Sequence, residues 1–335
     1  MPIFGTGIIP QQGAIANELA ATVRRAFIPS VVLQVYKSAP LISALLANAL
    51  VASGGLSPIT QPVQGNNMTV GEWIGYDGSF QQPGLIPGIQ NAEFNLAAFV
   101  TAIPFLGFEG LVQLDYSTVP LIEARMNDST LMTIQSWSQA LYLNIANQQQ
   151  LIGMQAAIDD GSFAATYGGI PRATAPWWKS TYVHNASPTA LTRNLALLYT
   201  AQITKVTGES PKIGILGFGT WNLLAQDFTS QESYQVRPGD SFTNGTVQAL
   251  FRAIEVAGVP YYPDPYCPEG TLYLINTDYL SMYMHERANF YFTGFESTLP
   301  NAQFGFIGAM LSLLQLANVK PQAHGKFDNL SFTNI

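Results

Sequence analysis

Apolar positions recur at helical spacing over residues 119–160. Met126, Ile134, Trp137, Leu141, Ile145, Ile152 and Ala156 fall close to every 3.6 residues. The pattern predicts one long helix. Its other face carries Gln135, Gln139, Asn144 and the polar run 147–150, and residues 129–158 hold no charge. A free surface helix normally carries ion pairs, so this one is expected to lie against a neighbour or under a loop. Asp159, Asp160 and Gly161 follow as a stop, with Gly161 as the C-cap.

Upstream, residues 11–52 read as helix broken by Pro29 and Pro40. Residues 53–115 change character: Gly, Pro, Asn and Gln fill the turns, and β-prone runs appear at 68–76 and 93–110. The stretch 77–91 joins them as a long, loose hairpin with little core of its own. Downstream, 189–208 reads as a helix ending at Gly208, and 211–228 as a strand, a glycine turn and a helix. Residues 246–267 give a further helix, a stop at Gly258 and a short strand. Residues 269–286 alternate like paired strands around Asn276, Thr277 and Asp278. The tail 304–332 is strand-like around Pro321 and Gly325. Residues 190–290 thus form a compact α/β unit, and no repeat of fixed period is evident.

Composition changes this picture in one respect. Of 335 residues 47% are hydrophobic and only 10% charged, against roughly 25% charged in ordinary soluble domains. Much of the surface is therefore expected to be covered by like subunits, because interface cores are depleted in charge. The apolar runs 41–52 and 305–317 fall short of the roughly 20 residues that span a bilayer. The N-terminus has no early basic residue and does not read as a signal peptide. Cys267 is the single cysteine, so no internal disulfide is possible.

Net charge is −7 and unevenly spread. Arg24, Arg25 and Lys37 open the chain, and no basic residue follows until Arg125, while Glu72, Asp77, Glu93, Glu109, Asp115 and Glu123 lie between. An acidic chain with one small basic patch is not a sequence-specific reader of nucleic acid. It can still lie beside nucleic acid without gripping it.

The residues offer little chemistry. His184, His285 and His324 have no second His or Cys at ligand spacing, so no metal site is expected. Cys267 sits between Asp264 and Glu269, and acid neighbours raise a thiol pKa rather than activate it. Gly214, Gly217 and Gly219 lack the spacing of a phosphate-binding loop and read as a strand-to-helix turn. No catalytic residue and no cofactor is assigned.

One segment remains, 167–185, which gathers Gly168, Gly169, Ile170, Arg172, Trp177, Trp178 and Lys179 just after the long helix. Two more stretches go with it: 258–286, a strand, an Asp-Pro turn, a glycine and a "LYLINTDYL" run, and 313–327, where a strand, Pro321 and Gly325 approach the C-terminus. In this order the three resemble the major capsid proteins of tailed bacteriophages. The resemblance implies an α+β fold with an N-terminal arm (1–58), an extended hairpin loop (59–115), a peripheral domain with a long spine helix (116–190 and 291–335) and an axial α/β domain (191–290). It implies a virion protein, assembled in the host bacterial cytoplasm, that joins copies of itself as hexamers and pentamers into an icosahedral shell. The shell would enclose double-stranded DNA without sequence-specific binding. Separate scaffolding, portal and decoration proteins would be its partners, with no membrane.

Encapsulin-like compartment shells share that fold and form one alternative. A soluble α/β hydrolase-like enzyme with a site at Cys267 or His184 is the other. Two features depart from the family: no coiled-coil scaffold segment is expected before the arm, and residues 59–115 contain no lysine, the residue some relatives use for cross-links. Within 167–185, Gly168 and Gly169 are expected to turn the backbone. Arg172 and Lys179 are expected to pair with carboxylates within or between subunits. Trp177 and Trp178 belong either at an interface centre or in the subunit's own core. Arg24 and Arg25, the one adjacent basic pair, are expected to face DNA or acidic residues of another subunit.

Overall fold

The computed structural model describes residues 39–52, 58–65, 78, 88–106, 118–147, 149–229, 254–298 and 305–333. Arg24, Arg25, Lys37, the run 68–76 and the predicted helix up to residue 253 lie outside the described residues.

Pro40 begins a helix rather than breaking one. Helix α1 spans Pro40–Ala47 with proline in its first turn, where a missing N–H costs nothing. A short strand β1 (Leu50–Ala52) follows where helix was expected, and pairs in parallel with β12 (Leu280–His285). Strands β2 (Ile59–Gln64) and β3 (Ile89–Phe94) form an antiparallel ribbon. The run read as one strand over 93–110 is thus split at Asn95, and its second part, β4 (Ala97–Leu106), joins another sheet.

The long helix is α2 (Thr118–Tyr142). Its buried stripe includes Met126, Ile134, Trp137 and Leu141, as the spacing predicts. The absence of charge has a local solution. The hydroxyls of Ser129, Thr130, Thr133, Ser136 and Ser138 each donate to the carbonyl four residues back, so polar side chains are satisfied without ion pairs. The helix stops at Tyr142, well before the expected 160. Gly153 N–H bonds the Ile145 carbonyl, and a Cβ on Gly153 would overlap the Leu143 carbonyl. The chain folds back on itself there, and Ile152 and Ala156 are buried from a loop and from the one-turn helix α3 (Met154–Ala157).

Two sheets follow. The five-stranded sheet is built on β14 (Gly305–Asn318). β4 lies along one edge of β14; β13 (Tyr291–Ser297) and then β12 pair with the other. The sheet packs on α2: Thr101 and Thr133 hydroxyls meet at 2.7 Å, and Trp137 lies edge-on to Phe99.

The six-stranded sheet has the order β7 (Thr181–Thr189), β15 (Gly325–Leu330), β11 (Leu272–Ile275), β8 (Ile213–Leu216), β10 (Val259–Pro263), β9 (Ile254–Val256). β8 and β11 are buried at every residue, because both faces are covered. Ile213, Ile215, Tyr273 and Ile275 join the core around α2. Leu216, Leu272, Leu274 and Phe327 meet helices α4 (Arg193–Thr207) and α5 (Phe218–Thr229), forming a second core. Gly208 closes α4 in the left-handed conformation, as expected.

Two sequence expectations need correction here. β11 and β12 flank the turn at Asn276–Asp278 but do not pair; they enter different sheets. The tail does not return whole to the spine-helix sheet: β14 does, while β15 lies between β7 and β11.

Candidate functional site: the buried joint at Arg172

Gly168 and Gly169 turn a two-strand hairpin, β5 (Thr166–Tyr167) and β6 (Ile170–Pro171). Their φ angles of 57° and 78° are those of a tight hairpin turn with both central residues left-handed, which glycine adopts at no steric cost. The hairpin delivers Arg172 to the interior, where it is 0% exposed. Nη1 donates to the Ala164 carbonyl at 2.9 Å and faces Asp159 Oδ2 at 3.4 Å. Nη2 donates to the carbonyls of Ala156 (2.9 Å) and Ala157 (3.4 Å), and Nε to that of Trp178 (3.3 Å). Each nitrogen of the rigid guanidinium fork thus has an acceptor. Burial lowers the Arg172 pKa, and the negative charge of Asp159 opposes that.

Asp159 is held as a carboxylate. Burial alone would raise its pKa, but hydrogen bonds from the N–H groups of Ala164, Gly161 and Phe163 and from the Ser162 hydroxyl outweigh it and keep the value below the ordinary one. The "DDG" stretch is therefore a carboxylate-centred turn, and Gly161 is not a cap of the long helix.

Around this pair the joint draws in other elements. Trp178, 1% exposed, donates Nε1 to the Tyr167 carbonyl at 2.9 Å. The Tyr167 ring packs between Phe94 of the β2–β3 ribbon (5.3 Å) and Trp178 (6.0 Å). Its hydroxyl accepts from Asn318 N at the end of β14. Ser180 N donates to the Asp159 carbonyl just before β7. The segment is thus a joint of ribbon, spine-helix tail and both sheets. Trp178 and Arg172 belong to the subunit's own interior and are not open to a neighbour. Trp177 is half-buried and covers Gly65 at the end of β2. Lys179 is half-buried and forms no ion pair with a described carboxylate.

Sequence reasoning missed three polar anchors, two of them buried. Gln315 Oε1 accepts from Ile152 N (2.8 Å), and its Nε2 donates to the Asn95 carbonyl (2.7 Å), fixing the chain beyond α2. The signal was a glutamine inside the apolar run of β14. Asp264, 1% exposed, accepts from Tyr266 N at 2.9 Å and sits by Tyr142 at the end of α2 and Leu41 at the start of α1. Burial raises its pKa. Glu269 accepts from Gly219 N and Thr220 N, so the start of α5 is occupied by the chain's own carboxylate. That is the position where a phosphate would sit.

The residues suggested for an enzyme are not brought together as a site. Burial pushes the Cys267 thiol well above its ordinary pKa, with Asp264 and Glu269 adding to the effect. His184 is exposed and bonds Asp328 at 2.6 Å. His324 is buried, accepts from Asn276 N, and is pushed down to about 3 by burial. Among the described residues no cluster of three His, Cys, Asp or Glu side chains is placed to hold a metal, and no helix is long and apolar enough to cross a membrane.

No protein-family model matches the sequence, and no curated protein matches it. The structure does match. It is similar to the capsid asymmetric unit of cyanophage A-1(L), with a TM-score of 0.61 at 16% identity over 88% of this chain and 93% of that one. It is similar to the capsid of the native GTA particle (TM-score 0.55, 11% identity, 87% and 91% covered) and to a chain of Mycobacterium phage Bobi (TM-score 0.54, 10% identity, 87% and 91% covered). The chain carries the tailed-phage capsid fold that the sequence resemblance implied.

Proposed function

We propose that this chain is a major capsid protein, which joins copies of itself into an icosahedral shell enclosing double-stranded DNA. The observation that carries the reading is the capsid fold over nearly the whole of both chains, 88% and 93%, in the likeness to the cyanophage capsid. The low charge content supports it, since a shell subunit is covered by neighbours on several sides. Net charge of −7 fits a wall that surrounds DNA rather than binds its sequence. The chain acts as a structural protein of the virion, arranged as hexamers and pentamers, and Arg172 serves as the joint that keeps the subunit's parts in register. In this reading portal and scaffolding proteins are its partners in assembly.

Negative-stain microscopy of the purified full chain, with nucleic-acid content measured on particles from infected cells, tests this. Closed shells, and DNA-filled particles from cells, are expected. Closed shells from cells that hold a protein cargo and no DNA would favour a compartment instead. A monomer at all concentrations would overturn the reading.

A further inference from the structure

The five-stranded sheet has two faces, and among the described residues only one is covered. Phe99, Ile103, Met310 and Leu314 turn toward α2 and the main core. The other set alternates outward along β4 and β14: Val100, Ala102, Pro104, Ile307, Ala309 and Leu311. Register places them side by side, Val100 opposite Leu311, Ala102 opposite Ala309 and Pro104 opposite Ile307. Val100 is 58% exposed and Ile307 43%. None of the six carries a charge; Glu296, opposite Ile307 on β13, marks one rim.

An outward sheet face normally alternates to polar side chains. This one stays apolar, although polar residues there would cost the fold nothing. We infer that the outer face of the β4–β14 pair is a contact surface for a second copy of this chain. The occupant follows from charge and size. The six side chains bring no cation of their own to attract DNA. With rows about 7 Å apart and strands about 5 Å apart, the patch has a footprint of a few hundred Å², well under the roughly 800 Å² per partner of a free-standing complex. A contact of that size is too small to hold a dimer alone, and suits one of several contacts that each copy makes in a closed assembly. The inference rests on the shell reading above and names one surface through which it is built.

The test uses the full chain. Val100→Glu and Ile307→Glu change exposed side chains, so the folded subunit and its melting temperature are expected to survive. Shell yield is expected to fall at least tenfold. In a second arm, Val100→Cys is treated with a thiol reagent; Cys267 is buried and serves as the low background. Labelling of the thiol introduced at position 100 is expected to be suppressed in shells and restored in dissociated subunits. Wild-type shells that both Glu variants leave intact overturn this inference and spare the shell reading. Equal labelling in shells and subunits also overturns it, and gives the face to a different protein added later. A wild-type chain that never assembles overturns both.

Discussion

Arg172 Nη1 and Asp159 Oδ2 lie 3.4 Å apart, with the two side chains 0% and 4% exposed. The pair is internal to one subunit, so its loss should register in the unfolding of that subunit. Arg172→Ala strands a buried carboxylate and four carbonyls, and removing one partner of such a pair costs about 3–5 kcal/mol. Arg172→Lys should recover little, because a single ammonium cannot reproduce the fork that bonds Ala156, Ala164 and Trp178. Urea unfolding of unassembled subunits measures this. Unchanged midpoints together with failed assembly would instead place Arg172 in an interface.

The pH dependence should show two opposed contributions. His324 has its pKa depressed from 6.5 to about 3 by burial. A depressed histidine contributes stability that is present above pH 6.5 and lost as pH falls toward 3, with a slope of about 1.4 kcal/mol per pH unit. Asp264 is raised by burial, so its contribution has the other sign: present at low pH and lost as pH rises through its folded value. His324→Gln keeps an acceptor for Asn276 N–H and cannot titrate. Its unfolding free energy should be flatter between pH 6.5 and 4 than that of the parent. Asp264→Asn should steepen the acid loss, and should be no less stable than the parent at neutral pH. Parallel pH curves for parent and His324→Gln would contradict the assignment.

Gly168 and Gly169 share a positive φ but not their surroundings. A Cβ on Gly168 would lie 3.1 Å from Phe94 Cζ and 3.3 Å from the Ala92 side chain, whereas one on Gly169 meets open space. Asn tolerates the left-handed region, so Gly169→Asn should change the melting temperature little. Gly168→Asn carries the same backbone cost plus the clash with the ribbon, and should lower it by several degrees. Equal effects would show that backbone strain alone decides.

Legibility followed the range of the interactions. The α2 stripe, the Gly208 cap, the β8–α5 turn and the Gly168–Gly169 turn depend on neighbours within a few residues, and spacing revealed them. The early end of α2 depends on Gly153 and on Gln315, which lies 163 residues from its partner Ile152. Within 119–160 only Gly153 speaks against a longer helix, and a single glycine costs a helix only about 1 kcal/mol. The same holds for β11 and β12: their alternation is that of a hairpin, and only the two separate cores decide that they part at Asn276. For the joint, the residue types of 167–185 were visible, but whether Trp178 faced a neighbour required knowing where Tyr167 and Asn318 lie. Assembly surfaces were the least legible, since an apolar strand reads the same whether its second face meets its own core or another copy.

How a shell of this chain is held together can be argued from its lysines. In the family resemblance the cross-linking lysine sits on the extended loop, and residues 59–115 have none. Of the lysines elsewhere, Lys212 pairs with Asp278 at 2.6 Å, Lys320 with Glu209 at 3.0 Å, and Lys326 with Asp328 at 3.4 Å, all within one subunit. Cys267 is buried and single, so a disulfide mesh is not available. Apolar burial suffices without covalent links: at about 25 cal/mol per Å², a standard interface of roughly 1,600 Å² gives a gross hydrophobic contribution near 40 kcal/mol before the cost of association. Mature particles boiled in detergent with a reductant should therefore run as one band at the subunit mass of 36.3 kDa. A ladder of multimers surviving that treatment would mean that Lys179, Lys205 or Lys37, the lysines outside these three pairs, is linked to a neighbouring chain.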